Sequence, residues 1–227
     1  MRTLILAILF LILTACSSRQ DLAPVTELTW HGPGAHAKKH QVRYGETLYS
    51  VAFLYDQDYQ KLARHNRLKR PYALRSGQMI RLLPDEHEKI VEFHAATVYR
   101  GREHFIWPIR GSILKSFSPR LGSKGINIRG HNMEPVKAAA TGVVAYAGSG
   151  IVGYGQLIII KHSNQFLTAY GNNAVNIVKE GQHVRRGQII GKVGSLDRNH
   201  SGLHFEIRQA GKPVNPLIYM PKYTHSN

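Results

Sequence analysis

The stretch "LHFEIR", Leu203 to Arg208, reads as a β-strand. A strand sets residues i and i+2 on one face, so His204 and Glu206 stand side by side. A metallohydrolase built on such a strand needs a second histidine two residues before the first, and that position is Gly202. A catalytic zinc takes three protein ligands and keeps a fourth position open for water. Other histidines in this half are His131, His162, His183 and His200. His162 follows a strand. His200 lies four residues before His204, but the intervening glycine predicts a loop, not the helix that brings i and i+4 together. The chain therefore reads as a zinc enzyme with a rebuilt site or as the shell of one.

The elements that position these residues begin near Phe105. Short apolar runs punctuated by glycine, "GVVAYAG", "GQLIIIKH", "FLTAYG", "HVRRGQIIGKVG", predict an all-β domain over 105–222. "LIIIKH" has the length of a buried strand and no helical caps. Residues 85–104 are charged and read as a linker, and 223–227 as a tail. Upstream, Leu48, Val51, Ala52 and Tyr55 recur at helical spacing behind Thr47, a candidate N-cap. Asp58 can cap a second helix with Leu62 and Ala63 inside. "QVRY" and "GQMIRLL" supply flanking strands. The order strand, helix, helix, strand over 39–84 predicts a small α+β module.

The first fifteen residues carry one early positive charge, a short apolar run and small residues, the pattern of a secretory signal peptide. The run is too short for a good membrane-spanning helix. Leu13-Thr14-Ala15-Cys16 resembles a bacterial lipobox, and Cys16 is the only cysteine in the chain, which fits a lipid anchor better than a disulfide or a metal ligand. In such lipoproteins Ser17 favours outer-membrane sorting. Residues 16–38 read as a flexible tether. The formal net charge of +16 implies an acidic partner, unless it serves solubility alone. Export excludes nucleic acid, leaving wall carboxylates and anionic lipid.

"VRYGETLYSVAFLYDQDYQKLARHNRL…LRSGQMIRL" resembles a LysM module, with markers at Gly45-Glu46-Thr47-Leu48, Asn66 and Gly77-Gln78. The resemblance implies a βααβ fold that binds N-acetylglucosamine-containing glycan between Gly45, Glu46, Thr47, Leu48 and Tyr72, Ala73, Leu74, Arg75. Tyr72 either lines that groove or packs on its own domain. "VKAAATGVVAYAGSGIVGYGQLIIIKHSNQFLTAY" and "VKEGQHVRRGQIIGKVGS" resemble the LytM-type, lysostaphin-like metallopeptidase fold, as do the segments flanking them. Active members are zinc endopeptidases of peptidoglycan. By that resemblance the zinc ligand positions fall on Ser123, Asn127 and His204, and the two assisting histidines on Asn172 and Gly202. Only His204 keeps the family's residue type, and serine and neutral asparagine are poor ligands for zinc. The reading expects no metal, no cofactor and no catalytic residue.

Such a pairing resembles the LytM-factor lipoproteins. It implies a non-enzymatic outer-membrane protein facing the periplasm of a Gram-negative bacterium. It would bind peptidoglycan and activate zinc-dependent N-acetylmuramoyl-L-alanine amidases. The partner groove would be lined by Ser123, Asn127, Asn172, Gly202 and His204. An endopeptidase with an atypical metal site, or a purely structural wall tether, are the alternatives.

Overall fold

The computed structural model describes residues 37–84, 104–162 and 166–222. The expected signal peptide, Cys16, nearly all of the tether and linker, and the tail lie outside the described residues. Among the described residues no helix is long and apolar enough to cross a membrane.

The first module runs β1 (Lys39–Gln41), α1 (Leu48–Leu54), α2 (Tyr59–His65), β2 (Met79–Arg81). It is the LysM fold. The strands pair antiparallel, His40 opposite Ile80. Thr47 caps α1: its Oγ1 accepts the Ser50 amide at 3.1 Å, while Ser50 Oγ accepts the Thr47 amide at 2.9 Å. Asp58 caps α2, with Oδ1 accepting the amides of Gln60 at 2.7 Å and Lys61 at 2.8 Å. Leu48, Val51, Ala52, Leu62, Ala63 and Ile80 form the core. The strand expected over 41–44 is displaced toward the N-terminus. The ladder occupies Lys39–Gln41, and Tyr44 stands exposed beside Gly45, whose φ of 78° turns the chain. Tyr72 packs on its own domain, its ring 6.5 Å from Tyr49 and 6.3 Å from Tyr59, though it stays partly exposed.

The second domain is mainly β, with strands β3 (Ile113–Lys115), β4 (Ile126–Arg129), β5 (Pro135–Lys137), β6 (Gly142–Gly148), β7 (Gln156–Lys161), β8 (Phe166–Asn176), β9 (His183–Val184), β10 (Ile189–Ser195), β11 (Ser201–Gln209) and β12 (Lys212–Val214), then a short α3 (Pro216–Tyr219). They form one antiparallel sheet in the order β3-β4-β11-β10-β8-β7-β6-β9, with β5 on β10, β12 on β11, and β11 also on β8. Side chains alternate between two apolar clusters. Ile158 and Ile160 point into the larger one with Tyr170, Phe205 and Ile207. Leu157 and Ile159 point the other way, to Tyr154, Leu167 and Phe53. Burial on both faces explains why β7 reads as an unbroken apolar run. Phe53 comes from α1 of the LysM module. It lies off that helix's stripe and is buried because it packs on the sheet.

One buried polar chain fixes the entry to β6. His162 Nδ1 donates to the Thr141 carbonyl at 2.8 Å. Its Nε2 lies 2.7 Å from Thr168 Oγ1, which lies 2.9 Å from the Tyr170 hydroxyl. That hydroxyl accepts the Ala139 amide at 2.8 Å. Burial pushes the His162 ring down to about 4, against a smaller upward pull from the Thr141 carbonyl. Above about pH 6.5 the ring is neutral in folded and unfolded chains alike. As pH falls from there, the unfolded chain takes up a proton that the folded ring refuses. Stability should drop by about 3 kcal/mol between pH 6.5 and pH 4 from this group. Denaturation measured across that range should show the loss. His162→Gln should be less stable at pH 7.5 but lose less on acidification.

Candidate functional site

Strand β11 lies inside the sheet, between β4 on one side and β10 and β8 on the other. His204, Glu206 and Arg208 project from one face of it. His204 sits opposite Asn127 of β4 and Gly171 of β8. Its Nδ1 lies 2.7 Å from Asn127 Oδ1, and its Nε2 donates to Glu206 Oε1 at 3.0 Å. The Tyr154 hydroxyl donates to the same Glu206 oxygen at 2.7 Å, and Arg208 Nε donates to Oε2 at 2.8 Å. Glu206 and Arg208 have no exposed surface.

The network continues into the LysM module. Arg208 Nη1 donates to the Phe53 carbonyl and to Asp56 Oδ1, both at 2.7 Å. Its guanidinium lies 3.6 Å over the Phe53 ring. Asp56 Oδ2 pairs with Lys124 at 2.6 Å. Burial alone would raise the Glu206 carboxyl. The Arg208 charge, then His204 and Tyr154, outweigh burial and hold it at about 2. The carboxylate is thus committed to structure and ill suited to proton transfer near neutral pH.

The residues at the expected ligand positions do not fit a zinc ion. Ser123 is buried and its hydroxyl donates to the Gly125 carbonyl at 3.1 Å. Asn127 offers a neutral amide that is already engaged with His204. Both ring nitrogens of His204 have partners. Among the described residues no group of three or more His, Cys, Asp or Glu is placed to hold a metal.

Of the five residues expected to line a groove, Asn127, Asn172 and His204 are partly exposed, while Ser123 and Gly202 are buried. Gly202, expected to line the groove, has no room for a side chain: a Cβ there would lie 2.3 Å from the Ile128 carbonyl oxygen and 2.5 Å from Leu196 Cδ1. Asn172 adopts φ 61°, a left-handed conformation that asparagine tolerates. Its side chain donates to the Ser195 carbonyl at 3.2 Å.

Two residues of the expected glycan set are likewise withdrawn from the LysM surface. Leu48 is a core residue. Glu46 accepts from His40 Nε2 at 2.7 Å and from the Arg43 amide at 2.8 Å, and its side chain is nearly buried. Gly45, Ala73 and Arg75 stay exposed, and Tyr72 and Leu74 partly so.

Sequence reasoning missed Tyr154, Arg208, Phe53 and Asp56. The alternation His204-x-Glu206-x-Arg208 could have pointed to Arg208. Nothing local points to Asp56, whose partner lies 152 residues downstream.

The chain matches the LysM domain family over residues 40–82 and Peptidase family M23 over residues 122–216. It is similar to the lipoprotein NlpD/LppB homolog of Pseudomonas aeruginosa, at 34% identity across 95% of this chain and 90% of that protein. It is 32% identical to the uncharacterized lipoprotein YgeR of Escherichia coli, across 80% of each. It is 45% identical to the murein hydrolase activator NlpD of Escherichia coli, across 51% of this chain but only 31% of that protein.

The backbone contact at Gly202 has a measurable consequence. Gly202→Ala should cost about 2 kcal/mol of stability in chemical denaturation, because the new methyl group meets a fixed carbonyl of β4. An unchanged midpoint would mean that β4 and β11 can move apart freely.

Proposed function

We propose that this chain, which belongs to the NlpD/LppB family of lipoproteins, is a non-catalytic activator of zinc-dependent N-acetylmuramoyl-L-alanine amidases acting on peptidoglycan during daughter-cell separation. The observation that carries the reading is the closed hydrogen bonding of His204. One ring nitrogen meets Asn127 and the other donates to Glu206, so the surviving imidazole is built into the sheet. Ser123 is turned to a backbone carbonyl. Asn172 and Gly202, at the assisting positions, offer neither acid nor base for hydrolysis.

The face around Asn127, Asn172 and His204 still offers polar, partly exposed groups for a protein segment. A partner amidase whose open state fits this face better than its closed state would shift toward the open state by that difference in affinity alone. The LysM module would hold the chain on wall glycan through Gly45, Thr47, Tyr72 and Arg75. Cys16 would anchor it in the outer membrane, facing the periplasm. Excess positive charge favours association with wall carboxylates and weakens with salt. The name of the Escherichia coli relative, murein hydrolase activator, supports the regulatory reading.

The test is dye release from labelled sacculi by the full chain in detergent, with and without a purified amidase. We expect no release by the chain alone and faster release by the amidase in its presence. Release by the chain alone that a chelator abolishes would restore the endopeptidase reading. The anchor is checked separately: a fatty-acid probe should label the wild-type chain in cells and leave Cys16→Ser unlabelled.

A further inference from the structure

The turn assigned above to glycan is already occupied within this chain. Thr47 Oγ1 accepts the Ser50 amide as a helix cap, and it donates its single proton to the Ala145 carbonyl of β6 at 3.0 Å. Ala145 lies at the register shift between Val144 and Tyr146 in the β6–β7 ladder. The extra residue of a bulge is left unpaired by the ladder, so Thr47 supplies a donor that the sheet does not. At the other end of α1, Phe53 and Asp56 grip Arg208, and Asp56 also pairs with Lys124. The α1–α2 loop presses on the β11–β12 turn so closely that a Cβ on Gly211 would fall 2.2 Å from the Gln57 carbonyl. One short helix is thus fastened to the β domain at both ends.

A sugar hydroxyl that recruits the Thr47 proton must take it from Ala145. While the module stays docked, that carbonyl is left under it without a donor, which is unfavourable for a buried acceptor. Lifting the module lets water reach the carbonyl and removes the cost. The docked state already carries one such burden, because the buried Nη2 of Arg208 has no hydrogen-bond partner. Undocking therefore relieves two polar groups while it gives up the ion pairs of Asp56.

We infer that glycan binding at the 45–48 turn and docking of the LysM module on the β domain compete for the Thr47 hydroxyl, so that wall glycan loosens the module from the sheet. The inference rests on the glycan reading of the module given above. Coupling of this kind is reciprocal: glycan weakens docking by the factor by which docking weakens glycan binding, so a change that weakens docking strengthens glycan binding. Loosening also uncovers Glu206 and Arg208, on the face of β11 that carries His204. Contact with the wall is thereby linked to the width of the face offered to a partner.

The test is calorimetric titration of the full chain in detergent with a neutral N-acetylglucosamine oligomer, on which the basic charge of the chain has no hold. Two variants weaken docking without touching the glycan turn. Lys124→Glu, in the β domain, sets a like charge against Asp56. Asp56→Asn removes the charge and tolerates the φ of 52° at that position. Each should bind the oligomer about fivefold more tightly than wild type. Binding seen only in the variants is the limiting form of that result. Variants that keep the wild-type circular dichroism yet bind with unchanged affinity overturn the competition and leave the glycan reading intact. Absence of binding in wild type and both variants overturns the glycan reading and the inference together.

Discussion

A guanidinium with no exposed surface governs the arrangement around it. Leaving Arg208 buried and unpaired would cost several kcal/mol, so the fold must bring it both charge and acceptors. Glu206, two residues earlier on the same strand, supplies one carboxylate. Asp56 supplies another, and the Phe53 carbonyl a third acceptor, both from the LysM module. The Phe53 ring closes the remaining side. The two domains therefore meet through an electrostatic requirement as much as through apolar burial. The Glu206 carboxylate passes that requirement on to Tyr154 and His204.

This ordering explains how the sheet keeps its shape around the expected ligand positions. Both nitrogens of His204 are engaged: Asn127 joins it to β4, and Glu206 meets it two residues along its own strand. Gly202 has its own structural reason, since the Ile128 carbonyl leaves no room for a side chain. A position that reads in the sequence as a lost histidine is, in space, a requirement of strand packing. A histidine there would demand a wider separation of β4 from β11 than this sheet has.

What was legible in the sequence was local. Thr47 and Asp58 announce their helices because a cap acts within three residues. Leu203 to Arg208 announces its strand because alternation is a property of neighbours. The unbroken run in β7 signals burial on both faces. Phe53 and Asp56 were illegible for the opposite reason. Phe53 breaks the stripe of its own helix, and Asp56 looks like a solvated turn residue until Arg208 is placed beside it. Two side chains of the expected glycan set are turned inward for a related reason. Glu46 and Leu48 share a turn with Thr47, but a sequence motif does not tell which members face outward. Leu48 points into the core, and Glu46 is spent on His40 and the Arg43 amide.

The polar chain from Ala139 through Tyr170 and Thr168 to His162 and back to Thr141 has an evolutionary consequence. It leaves the loop before β6 and returns to it two residues later. Losing any one side chain strands a polar atom of its neighbour in an interior that offers no substitute. Single replacements at these positions therefore meet a barrier, and an all-apolar set would still strand the Ala139 amide and the Thr141 carbonyl, so only another set of polar side chains can take its place. Drift in the descendants of this chain should cross that stretch in jumps, with Thr168 and His162 changing together, while the surrounding aliphatic positions exchange one at a time.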